Sequence, residues 1–202
     1  IETTTNVSVL PDGSGFNLAF FDRVFRNNGD SGTRQWWSYS PTFVIWMQKF
    51  ECIEYVVGVE DTCQKAEALD ESISGSSFES SVYSALASDV SRLTNGYRSG
   101  SQTETREFTP GTVIDMTAEA YASTVGKKIN FVLMEYPSDP TPSNFASNAD
   151  YLYYTSGPDI GKMFSAIITM DTREIDSPHL WGVSHEVAHA LGMNHPGGDV
   201  DF

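Results

Sequence analysis

His185-Glu186-Val187-Ala188-His189-Ala190-Leu191-Gly192-Met193-Asn194-His195 is the stretch on which the reading of this chain turns. Three of the four histidines in the sequence fall inside it. On a helix, residues four apart share a face, so His185 and His189 can direct two imidazoles at one metal ion. Glu186, the next residue round the helix, stands beside such a metal rather than on it. There its carboxylate can take a proton from water. Gly192 tolerates a left-handed backbone, ends the helix and lets the chain turn sharply back. That turn brings His195 round as a third nitrogen ligand. Three neutral imidazoles and one open position describe a catalytic zinc site, whereas a structural site would be closed by a fourth protein ligand.

Working upstream, Ser177 reads as the cap of this helix and Pro178 as its first helical residue. Val183, Val187, Ala190 and Leu191 fall on one stripe and are expected to be buried, with His185 and His189 facing elsewhere. His179, six residues before His185, points nearly the opposite way and reads as a surface or packing histidine. Phe164 to Met170 reads as a strand, and Tyr151-Leu152-Tyr153-Tyr154 as an edge strand. Tyr136 to Asn148 holds Pro137, Pro140 and Pro142 and reads as a loop. Lys128 to Glu135 is a further strand, and Thr112 to Met116 a short one.

The clearest ordinary helix begins at Ser76-Ser77-Phe78-Glu79, a capping box with Ser76 as cap. Phe78, Val82, Ala85, Leu86, Val90 and Leu93 follow at helical spacing, and Asn95-Gly96 stops the run. Ahead of it, Phe43-Val44-Ile45-Trp46-Met47 is continuous and β-branched or aromatic, as in a strand buried on both faces. Residues 1–40 are rich in Gly, Asn and Ser around one apolar run, Phe16 to Phe25. They read as an N-terminal extension or pro-segment-like region, with residues 41–202 as the catalytic domain. The expected fold class is therefore α/β, a mixed twisted sheet with a backing helix and an active-site helix.

Composition narrows the partners. The chain has 202 residues, 40% apolar and 12% aromatic, enough to fill one sizeable core. Its formal net charge is −15, which repels nucleic-acid phosphates and anionic lipid, so no nucleic-acid partner is expected. No apolar stretch reaches the ~20 residues of a membrane span. Cys52 and Cys63 are the only cysteines. They flank a short polar excursion, and a hairpin-like disulfide is the simplest account, against the competing reading of a free thiolate that blocks zinc in a latent precursor. A disulfide fits an oxidising compartment, so the protein is expected to be secreted, and monomeric. Starting at Ile1 without Met, it reads as a processed or fragmentary chain. Loop carboxylates such as Asp139, Asp159 and Asp199 offer calcium ligands, but solvated surface charge explains them equally well.

The eleven-residue motif resembles the zinc-binding consensus of the metzincin clan of metallopeptidases, and the following His195-Pro196-Gly197 resembles its serralysin branch. The upstream order of strand, long helix, strands, edge strand, strand and active-site helix is similar to the metzincin N-terminal subdomain. The resemblance implies that His185, His189 and His195 bind Zn2+ and that Glu186 is general base and acid. It also implies that the edge strand, with Tyr151 and Tyr153, holds a peptide substrate by strand addition. Metzincins place a methionine-containing turn beneath the zinc, and only seven residues follow His195 here. Met193 comes too early for that part, so a very short or missing C-terminal subdomain is expected. Two rival zinc-peptidase classes fare worse. No Glu follows Glu186, and no Gly-Thr precedes Asp199 or Asp201. The functional alternatives are a zinc-binding module without turnover and a latent precursor with residues 1–40 in the cleft.

Overall fold

A computed structural model of the chain describes residues 41–56, 62–93, 103–121, 128–136, 147–160, 162–172 and 181–191. The readings made for residues 1–40, for Ser177, Pro178 and His179, and for Gly192 and His195 lie outside these residues. The described elements run β1 (Thr42–Val56), β2 (Thr62–Ser72), α1 (Ser77–Leu93), β3 (Thr103–Arg106), β4 (Val113–Asp115), α2 (Met116–Tyr121), β5 (Lys128–Glu135), β6 (Asn148–Tyr153), β7 (Met163–Asp171) and α3 (Trp181–Ala190).

All seven strands belong to one mixed sheet with the order β4-β2-β1-β5-β7-β6. β1, β5 and β7 are mutually parallel, while β2, β4 and β6 each run antiparallel to their neighbour. β1 is the organising strand. Its first part continues past Met47 because Lys49-Phe50-Glu51-Cys52 keeps the alternation of polar and buried residues that a half-covered strand requires. β5 runs along one side of it. On the other side β3 pairs with Phe43 to Trp46, and β2 with Gln48 to Val56, so two strands share one flank.

The β1–β2 hairpin carries the Cys52–Cys63 disulfide, with Cα atoms 5.8 Å apart. Closing so short a loop contributes about 3 kcal/mol in the chain-entropy account. Lys49 joins three strands by pairing with Glu135 of β5 at 2.7 Å and Glu71 of β2 at 3.1 Å. The hydrogen bond to Glu135 is the main reason the Lys49 ammonium is held above its ordinary pKa. A raised lysine pKa means that this stabilisation is complete below about pH 10.4 and is lost as pH climbs through the folded value. Comparing the wild type with Lys49→Met by denaturant melts should show a gap of about 1 kcal/mol or less near neutrality. That gap should close as pH climbs through the raised lysine value, and one that widened there would contradict the pairing.

The sheet has a core on each face. On the helix side, Phe43, Ile45, Ile129, Phe131, Ala166, Ile168 and Met170 meet Phe78, Val82, Ala85 and Leu86 of α1 and Val183, Val187 and Ala190 of α3. α1 starts where expected. Ser76 Oγ accepts the Glu79 N–H at 3.2 Å, but the Glu79 carboxylate takes the N–H of Gly75 at 2.7 Å instead of that of Ser76. The Ser76 N–H is already bonded to the Ile73 carbonyl, across a turn that needs Gly75 at φ 75°.

On the opposite face Val44, Trp46, Phe50, Val132, Met134 and Ile167 pack with Ile114 and Met116. Trp46, Phe50 and Phe108 form a mutual aromatic cluster with centroids 4.7 to 5.1 Å apart. The Arg106 guanidinium lies over the Trp46 and Phe108 rings and pairs with Glu119 of α2. Asn130 is a buried polar residue in the middle of this face. Its Oδ1 accepts the Trp46 indole N–H at 3.1 Å, and its Nδ2 donates to the Ala166 carbonyl at 3.3 Å.

Candidate metal centre

α3 is built by the stripe foreseen from its sequence. Val183, Val187 and Ala190 are buried, and Leu191 packs partly against the same cluster. The helix lies against α1 and against β6 and β7. Its backbone bonding continues through Leu191, whose N–H reaches the Val187 carbonyl at 3.0 Å. With one side of the helix committed to the core, His185 and His189 are left half-buried on a different side.

The two imidazoles converge. Their Nε2 atoms are 3.0 Å apart, and the rings meet edge to face with centroids 4.6 Å apart. Two nitrogens held by one tetrahedral zinc at ~2.0–2.1 Å lie about 3.3 Å apart, so the pair fits the bite of such an ion. The same separation suits an N–H···N hydrogen bond, with one ring donating and the other accepting. In either case the two Nε2 atoms meet on one side of the helix, as the four-residue spacing allows. Among the described residues no three His, Cys, Asp or Glu side chains converge on one metal position. His195, the third expected ligand, lies outside them.

Glu186 is only 7% exposed, a feature its position next to His185 does not by itself disclose. The signal is present in the spacing. Three residues after Val183 and four before Ala190, Glu186 borders the buried stripe instead of the solvent side. Its carboxylate therefore sits where water is restricted, close in sequence and in space to the His185 backbone.

β6 is the outermost strand on its side of the sheet, and among the described residues it pairs only with β7. Tyr151 stands opposite Ala166 in the register, and Tyr153 opposite Met163. Tyr153 packs partly into the helix-side core that also receives Val187 and Ala190. The expected edge strand is thus real and lies against the histidine-bearing helix. The turn that follows it is closed by the Tyr154 N–H to the Lys162 carbonyl at 3.1 Å. There the Tyr154 and Phe164 rings pair at 4.9 Å. No helix among the described residues is long and apolar enough to cross a membrane.

Set beside known proteins, the chain matches no family model, no curated protein and no solved structure.

Proposed function

We propose that this chain is a secreted zinc-dependent endopeptidase of the metzincin kind. The observation that carries the reading is the convergence of the His185 and His189 Nε2 atoms, 3.0 Å apart on a helix whose other side is sealed into the core. By its place in the motif, His195 would complete the ligand set. Zinc at this place would polarise the scissile carbonyl and lower the pKa of water to about 7. Glu186 accepts a proton from the attacking water as its oxygen bonds to the carbonyl carbon. When the C–N bond breaks, the same carboxyl delivers that proton to the leaving nitrogen. Burial of Glu186 supports this role, because a carboxyl shielded from bulk water keeps the proton for the reaction instead of exchanging it. In this reading the outer edge of β6, the last strand of the sheet among the described residues, offers main-chain N–H and C=O groups to an extended peptide, with Tyr151 and Tyr153 on the strand that receives it. The Cys52–Cys63 disulfide is consistent with an oxidising, extracellular setting.

Incubating the protein with an unfolded protein substrate, with and without a chelator, tests the reading, with metal content measured on the same sample. Cleavage that stops on chelation and returns with zinc is the expected result. Zinc held in a one-to-one ratio without any cleavage would hand the site to a binding module or a latent form. Absence of both would remove the zinc assignment itself.

A further inference from the structure

Among the described residues, the helix-side face of the sheet is covered over the first half of β1, and no helix packs on it over the second. α1 and α3 seal Phe43, Ile45, Ile129 and Phe131, but Glu51 and Ile53 lie beyond that core. Across the open part the register sets Val113 of β4 opposite Glu67 of β2, Glu67 opposite Glu51 of β1, and Glu51 opposite Glu135 of β5. Cross-strand partners share a face. Alternation puts this row on the helix side, because Phe50, Cys52, Ala66, Ala68 and Ile114 belong to the opposite core. Two exposed β-branched residues border the glutamates: Val113 within the row at 51% exposure, and Ile53, at the register break of β1 two residues past Glu51, at 46%.

The charges in this row are not balanced by ion pairs among the described residues. Like charges directly opposite one another destabilise a sheet. Lys49 answers Glu135 and Glu71, and it is thereby committed. Glu51 and Glu67 have no ion-pair partner among the described residues. The face therefore holds a repulsive pair that one cation set between the two carboxylates would relieve. Aliphatic groups on either side of that cation would cover Ile53 and Val113. Anionic surfaces and a second copy of this chain, itself at −15, are repelled from the same place.

We propose that this open sheet face is a docking surface for a partner protein, through a segment in which lysine or arginine alternates with aliphatic residues. The occupant is chosen by complementarity: cation to the Glu51–Glu67 pair, side-chain methyls to Ile53 and Val113. Such a contact gains specificity and association rate from its charges, and its strength falls with salt. The proposal does not depend on the zinc site.

The test titrates the full chain with a labelled synthetic peptide of alternating lysine and valine, followed by fluorescence anisotropy at low and at physiological ionic strength. The E51Q/E67Q variant should bind roughly tenfold more weakly at low salt, with a shallower salt dependence. Its Tm should equal or exceed that of the wild type, since a repulsion has been removed, so the weaker binding cannot be blamed on unfolding. The control E104Q/E107Q removes the same charge elsewhere and should bind like the wild type. Equal weakening by both double variants would show that net charge alone attracts the peptide, and the proposal would fall. It would fall equally if E51Q/E67Q bound as tightly as the wild type. A wild-type dimer in sedimentation that E51Q/E67Q dissolves would assign the face to a second copy and overturn it as well.

Discussion

Replacing Glu186 with glutamine is expected to leave zinc content unchanged and to lower peptide hydrolysis by about 10²- to 10⁴-fold, the range contributed by a positioned general base. Glutamine matches glutamate in shape, so the border position of residue 186 beside the buried stripe stays filled. What is lost is the ability to accept a proton. His189→Ala makes the complementary change. It removes one of the two converging Nε2 atoms, so metal content should collapse together with activity. Measuring zinc and turnover on both variants separates the two roles assigned to this helix. A Gln variant cleaving at the wild-type rate would sink the assignment of Glu186. An Ala variant that kept its zinc would sink that of His189.

The second large effect concerns the fold on which the site stands. Phe131 lies at the centre of β5, fully buried, opposite Ile45 on one neighbour and Ile168 on the other. Its ring tilts against Phe43 at 6.2 Å. Truncation to alanine should cost about 3–5 kcal/mol, the lost transfer energy plus that of the cavity left between sheet and helices. Against a total stability of roughly 5–15 kcal/mol this is a large share. For a domain of this size it lowers Tm by about 6–20 °C. Thermal melts followed by circular dichroism check it. A loss below about 1 kcal/mol would mean that the two cores do not meet around this strand as described.

Both expectations trace back to features that differ in how openly the sequence announces them. β5 and β7 were legible because they are continuous apolar runs, the mark of strands covered on both faces. α1 was legible from its cap and from the spacing of Phe78, Val82 and Leu86. The pairing of Cys52 with Cys63 follows from their closeness in sequence and their hairpin setting, and it is formed. β2 was harder to see. Gln64-Lys65-Ala66-Glu67-Ala68-Leu69-Asp70 is made of good helix formers, and pairing with the distal half of β1 on one side and with β4 on the other holds it extended. β3, Thr103-Glu104-Thr105-Arg106, has no buried residue to give a period, and its backbone pairing to β1 alone defines it. α2 is six residues long, too short for a helical stripe to register.

At the site, spacing alone foretold that the two imidazoles would meet, because four residues on a helix leave little freedom. The burial of Glu186 was not foretold. It depends on which way α3 turns against β6 and β7, and that is a matter of tertiary packing. The open acidic face could not be foreseen either, since Glu51, Glu67 and Glu135 are far apart in sequence and only the strand register aligns them.

Asn130 has a further consequence. Six successive residues of β5, Ile129 to Met134, are buried, and all of them but Asn130 are apolar. A slip of one residue against β1 and β7 would exchange one greasy row for another, and hydrophobicity would scarcely resist it. The amide removes that ambiguity. Only in the observed alignment do the Trp46 indole and the Ala166 carbonyl both meet it. Shifted by one, it would face the helix-side core with its polar atoms unpaired, at a cost of about 1–3 kcal/mol. One asparagine thus selects a single pairing for the three central strands, and with it the placement of β7, which together with β6 supports the histidine-bearing helix.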